Sequence, residues 1–116
     1  MAAFQYEQLP AAPIRQGAER RLAHTDNLMI VIVDFHDGPQ SQPDPLHSHP
    51  HEQVSYVAAG EIIFVMEGQQ TRLGAGDVFV VPSGKPHTIQ LLSQHARLID
   101  CFTPIRGDFL PQEDKR

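Results

Sequence analysis

Short runs of β-branched and aromatic residues, broken every few positions by Gly, Pro, Asn or Asp, make up most of this chain. No helix-period apolar pattern extends beyond about two turns. Segments this short cannot bury a helical face, but each suits one pleated strand, so the chain is expected to be all-β and antiparallel, a sandwich or barrel. Asn27 to Phe35 (NLMIVIVDF) reads as a buried strand, and Gln53 to Ala58 and Ile62 to Met66 flank the break Ala59-Gly60-Glu61. Gln69 to Leu73 follows a turn at Glu67-Gly68, and further strands are expected at Val78 to Val81, Thr88 to Leu92 and Arg97 to Thr103. The stretch from Gly38 to Pro45 (GPQSQPDP) reads as a loop, because proline cannot donate to a sheet ladder. A chain of 116 residues implies one domain, which buries roughly two-thirds of the surface its unfolded form exposes. Within it, residues 1–24 read as an N-terminal arm with an edge strand, 25–111 as the barrel and 112–116 as a solvated tail.

Charge narrows the partners. The formal net charge is −5, and the cations are spread along the chain rather than clustered, which argues against nucleic acid. No apolar run approaches the roughly 18–20 residues that span a bilayer, so no membrane partner is expected. The first residues lack a basic segment followed by an apolar one, and the single cysteine, Cys101, rules out an internal disulfide framework. Both observations point to the cytoplasm.

Histidine is the unusual component, with seven in the chain and three of them between positions 47 and 51. His47, His49 and Gln53 share one parity, so on an extended chain their side chains point to the same face. His87 lies in a second segment, directly after Pro82-Ser83-Gly84-Lys85-Pro86. Three imidazoles and an amide oxygen form a mixed donor set suited to one divalent ion such as Ni, Zn, Fe or Mn, held at roughly 2.0–2.2 Å. A lone histidine in a Pro-rich loop is more often solvated than ligating, so the second segment carries much of the argument. His51 shares the parity and Glu52 is the nearby carboxylate, and both stand beside Gln53 as alternatives for the fourth donor, since Pro50 blurs the alternation. His24, His36 and His95 have no such pattern and read as surface residues.

These residues resemble the two motifs of the cupin superfamily. The first, G-x5-H-x-H-x3,4-E-x6-G, is matched by His47, His49, Gln53 and Gly60, with Gln in place of Glu. The second, G-x5-P-x-G-x2-H-x3-N, is matched by Gly76, Pro82, Gly84 and His87, with Leu91 in place of Asn. Gly38 lies further before His47 than the motif's leading glycine, which implies an insertion in the Pro-rich loop. The resemblance implies a jelly-roll β-barrel (a double-stranded β-helix) with the metal in its lumen, commonly a homodimer. His47 to Tyr56 (HSHPHEQVSY) and Asp100 to Leu110 (DCFTPIRGDFL) are further similar to the KdgF-type family of small cupins, which linearise unsaturated uronates in pectin and alginate breakdown. That likeness implies His47, His49, Gln53 and His87 as metal ligands, Asp100, Phe102 and Arg106 as active-site groups, and a small anionic sugar as substrate.

The residues suit that chemistry. A neutral Gln53 leaves the charge of a bound metal uncompensated, which favours anionic ligands. Asp100 and Phe102 share a parity and face the lumen together while Cys101 packs the other way as an inert thiol. A carboxylate beside a metal and an apolar ring is a candidate general acid or base, and the planar fork of Arg106 fits a substrate carboxylate. Two other classes use the same barrel: a metal-dependent dioxygenase of the quercetinase type, which would consume oxygen, and a sugar- or metabolite-binding protein, which would be stabilised by its ligand without turnover.

Overall fold

The computed structural model describes residues 2–111, so the tail expected at 112–116 lies outside the described residues. Nine strands follow one another: β1 (Ala12–Arg15), β2 (Ala18–His24), β3 (Met29–Phe35), β4 (Glu52–Ala59), β5 (Glu61–Met66), β6 (Gln69–Gly74), β7 (Val78–Val81), β8 (His87–Leu91) and β9 (Ala96–Thr103). Two short 3-10 turns, Tyr6–Gln8 and Gly107–Phe109, are the helical pieces among the described residues. No helix there is long and apolar enough to cross a membrane. The runs read as strands from β3 onward begin and end within two residues of the observed limits.

The strands form an antiparallel jelly roll of two facing sheets, one six-stranded in the order β1-β2-β3-β9-β4-β7 and one three-stranded in the order β6-β5-β8. Alternation decides the filling. On β4, Gln53, Ser55 and Val57 are buried while Glu52, Val54 and Tyr56 are exposed, as a half-buried strand requires. Across the register Val33, Leu98 and Val57 face inward in one row, and Val31, Asp100 and Ser55 in the next. The ring of Phe64 on β5 stacks on Phe79 of β7 at 4.2 Å between centroids, tying the two sheets together. The hairpin from β5 to β6 turns in two residues, Glu67 (φ 54°) and Gly68 (φ 76°), both in the left-handed region that suits strand twist.

Two features depart from the sequence reading. The N-terminal region contributes two strands rather than one edge, and β2 pairs with β3 along its whole length. Glu19, Arg20 and Arg21 hide the strand pattern of this segment (AERRLAH), because charged residues are depleted in strands generally. The barrel is also not closed by a continuous ladder. Residues 38–47 run beside β8 in place of a strand, with backbone bonds Gln40 N–H to Leu91 O (2.9 Å), Asp44 N–H to Ile89 O (3.1 Å) and His47 N–H to His87 O (3.1 Å). Pro39, Pro43 and Pro45 have no N–H to donate, so side chains complete the seam. Leu91 N–H donates to Gln40 Oε1 (2.8 Å), and Thr88 Oγ1 donates to Asp44 O (2.8 Å).

Candidate metal centre and cavity

The seam brings the two histidine segments together. His47 and His87 exchange both backbone hydrogen bonds (3.1 and 2.9 Å), an isolated antiparallel bridge that puts the two side chains on one face. The Pro82–Pro86 turn docks on the first segment through Gly84 N–H to His49 O (2.8 Å) and Ser83 Oγ to Pro50 O (2.7 Å). Gly84 has φ +78°, so a side chain there would strain the turn that aims His87.

The ring nitrogens of His47, His49 and His87 offer donor atoms all within 4.8 Å of one another. His87 Nδ1 lies 2.8 Å from Lys85 O and His49 Nδ1 lies 3.0 Å from His51 O. A carbonyl only accepts, so each Nδ1 carries the proton and each Nε2 presents a lone pair. His87 Nε2 is buried with no hydrogen-bond partner. Burial holds His87 down to about 4, with His47 and His49 adding to the depression, and the Lys85 carbonyl only partly offsets this. His47 is likewise lowered, by desolvation first and by His49 second. Neutral imidazoles are the form that ligates a metal.

Gln53 Oε1 stands 3.0 Å from His49 Nε2. Its own Nε2 donates to Ser55 Oγ (2.9 Å), and the Ser55 hydroxyl donates to Asp100 Oδ1 (2.5 Å). That chain fixes the amide with its oxygen toward His49, so two acceptor lone pairs face each other. The contact is unfavourable without a cation beside both atoms. The donor set therefore fits a divalent ion. Of the two alternatives for the fourth position, Glu52 is exposed on the outer face, and His51 is not part of the cluster but packs edge-on to Phe102 at 6.5 Å between centroids.

His47, Gln53 and His87 open on a cavity of about 430 Å³ whose lining also includes Asp100, Phe102 and Arg106. Burial raises Asp100 to about 6, against the opposing pull of the Ser55 hydroxyl, Arg106 and Gln53. Buried Phe102 packs edge-on to the His49 ring (5.6 Å) and lies 5.0 Å beneath the Arg106 guanidinium. Arg106 is held by a two-point pair with Asp108, Nε to Oδ1 at 3.1 Å and Nη2 to Oδ2 at 2.9 Å, and its remaining donors make no hydrogen bond among the described residues.

Ser55 went unremarked in the sequence, although its parity with Gln53 places it on the same inward face. Arg20, a further cavity residue, lay hidden in the charged β2. His36 and His95 are not simply solvated: their rings stack at 5.5 Å, and His95 Nε2 lies 3.2 Å from Asp34. Cys101 sits on the outer face, where burial and Asp100 push its thiol up.

Comparison with known proteins gives three consistent results. Residues 31–102 match the family model described as Cupin domain. The chain is 35% identical over 106 residues to "Pectin degradation protein KdgF" of Dickeya dadantii, covering 90% of this chain and 94% of that protein. It superposes on the structure of KdgF from Halomonas sp. with a TM-score of 0.85 at 33% identity, over 95% of this chain and 99% of the other. A shorter match, 50% identical over 64 residues, reaches "Dimethylsulfoniopropionate lyase DddQ" of Ruegeria pomeroyi, covering 54% of this chain but 30% of that protein.

Proposed function

The chain belongs to the cupin family, and from that premise we propose that it is a metal-dependent enzyme that linearises 4,5-unsaturated uronates in pectin or alginate catabolism. The observation that carries this reading is the hydrogen-bonded chain from Gln53 through Ser55 to Asp100, which holds Gln53 Oε1 against His49 Nε2 inside a cavity that Arg106 also lines. Its likeness to KdgF along nearly the whole of both chains supports the same substrate class.

His47, His49, His87 and Gln53 would hold the divalent ion, which when bound supplies Lewis-acid polarisation of a sugar oxygen. The chain's own groups do the rest. Arg106, pre-oriented by Asp108, pairs with the substrate carboxylate, while Phe102 walls off water and sets the face on which the ring lies. Asp100 takes the proton of the anomeric hydroxyl as the bond from C1 to the ring oxygen breaks and C1 becomes the aldehyde. It returns a proton to C4 of the resulting enol, leaving a ketone at C5. No electron leaves or enters the substrate. Ser55 and Gln53 keep the Asp100 carboxylate aimed through this exchange.

The test follows the ultraviolet absorbance of freshly generated 4,5-unsaturated galacturonate with purified protein, with chelated protein, and with chelated protein given back metal. Loss of absorbance faster than the spontaneous rate, abolished by chelation and restored by metal, is expected. A spontaneous rate with metal verified in the protein would overturn the reading, and oxygen uptake in the Fe(II)-loaded protein would move it to the dioxygenase class.

A homodimer and a cytoplasmic site of action belong to the same proposal. Val54 and Tyr56 on β4 lie beside Val80 and Val78 on the edge strand β7, and all four are exposed on the outer face. A contiguous apolar patch of this kind suits a second copy of the chain. Sedimentation is expected to give a dimer for the native chain and a monomer for Val54→Glu, and a native monomer would remove this part. Cys101 as a free thiol fits a reducing compartment.

A further inference from the structure

Arg20 occupies an unusual position for a cation. It lies on the inward face of β2, directly across the register from Val33, which itself pairs with Leu98. Its side chain lines the same cavity as His87 and Asp100. Its Nε is buried and has no hydrogen-bond partner. Among the described residues the other arginines are all engaged: Arg15 with Asp37, Arg21 with the Tyr6 carbonyl, Arg72 with Glu61, Arg97 with Asp34 and Arg106 with Asp108. Arg20 alone there has neither a hydrogen bond nor an ion pair, and its guanidinium rests on the ring of Phe109 at 3.8 Å. Phe109 also carries the Arg106 guanidinium, at 4.2 Å.

We propose that Arg20 binds the carboxylate of the acidic sugar, a specificity-determining contact at the cavity wall formed by β2. An inward cation among Val33 and Leu98 is partly desolvated, Asp108 and the Phe109 ring offset only part of that cost, and an anion entering the cavity supplies the missing hydrogen-bond partner. Burial lowers Arg20 from the ordinary guanidinium value, Asp108 opposes this and Arg106 adds to it, as expected of a charge held ready for an anion. Phe109 fixes the fork by cation–π stacking, so little freedom is lost on binding. β2 lies two strands from β9, roughly 10 Å between their backbones at the usual strand spacing, so Arg20 and Asp100 line the one cavity from separate strands. Arg20 then shares the carboxylate with Arg106, whose guanidinium rests on the same Phe109 ring. The assignment rests on the uronate reading above.

The test is calorimetric titration of the metal-loaded protein with galacturonate and with its methyl ester, in which one methyl group removes the charge. The native protein is expected to prefer the acid. Arg20→Met is expected to weaken the acid by about 10- to 100-fold and the ester by less than about threefold, the loss of one charge-assisted contact. Arg20→Lys is expected to keep part of the preference. With the unsaturated uronate, KM should rise in Arg20→Met while kcat changes little. Unchanged preference in Arg20→Met overturns the assignment with the uronate reading intact. So does an equal loss for acid and ester, the mark of a residue that only supports Phe109. If Arg20→Met does not fold, Arg20→Gln, which keeps a polar side chain without the charge, decides in its place, and an unchanged preference for the acid there would also overturn the assignment. A native protein that neither binds nor turns over any uronate overturns both this assignment and the reading beneath it.

Discussion

Asp100→Asn is expected to slow uronate ring opening by about 10²- to 10⁴-fold, the range that a positioned proton-transfer group contributes, with metal content unchanged. The substitution is nearly isosteric. An amide oxygen still accepts the Ser55 hydroxyl that now donates to Oδ1, so the chain through Gln53 to His49 keeps its direction. What is lost is the capacity to take a proton from one substrate atom and return it to another. The fold should not suffer, because burial already disfavours the ionised form of Asp100 and a neutral side chain meets a smaller desolvation penalty. Turnover followed by ultraviolet absorbance, with metal measured on the same sample, checks the result. Full activity would remove Asp100 from the chemistry. Loss of activity together with loss of metal would assign it to holding the ligand set through Ser55 and Gln53.

The fold was readable where side chains repeat with the pleat. On β3 and β9, Val31, Val33 and Leu98 alternate with outward residues, so strand and inward face follow from the residues alone. Parity likewise set His47, His49 and Gln53 on one face, and the structure brings the three histidines' donor atoms within 4.8 Å despite Pro50. The rest depended on contacts between segments. Residues 38–47 read as a loop because their prolines forbid a ladder, yet they run beside β8 by letting Gln40 and Thr88 supply the missing bonds. β2 was obscured because its inward positions include Arg20, and the sequence gives no sign that an inward arginine opens on a cavity. Ser55 looks like an ordinary small strand residue until Asp100 from β9 is seen opposite it. Pairing partners of this kind are set by strand order, which periodicity does not reveal.

His87→Ala is expected to abolish the response of the protein to metal while sparing the metal-free fold. His87 is 2% exposed, and its Nε2 is a buried lone pair with no partner, so the metal-free protein gains little from the ring beyond packing. The Lys85 carbonyl that holds Nδ1 would be released, a loss of roughly 1 kcal/mol for one hydrogen bond. In the native protein a metal present at a hundred times its dissociation constant stabilises the fold by about 2.7 kcal/mol, a rise in Tm of about 10 °C for a domain of this size. Partners of ligands contribute 10- to 100-fold in affinity, so removing a ligand outright should weaken binding by at least about 100-fold and erase most of that rise. Differential scanning calorimetry with and without added metal, alongside metal analysis after dialysis, measures both quantities. A variant that keeps stoichiometric metal and the full rise in Tm would show that the ion sits elsewhere. The orphaned nitrogen and the facing lone pairs of His49 and Gln53 would then need another partner, and the chemistry proposed for Asp100 would lose its electrophile.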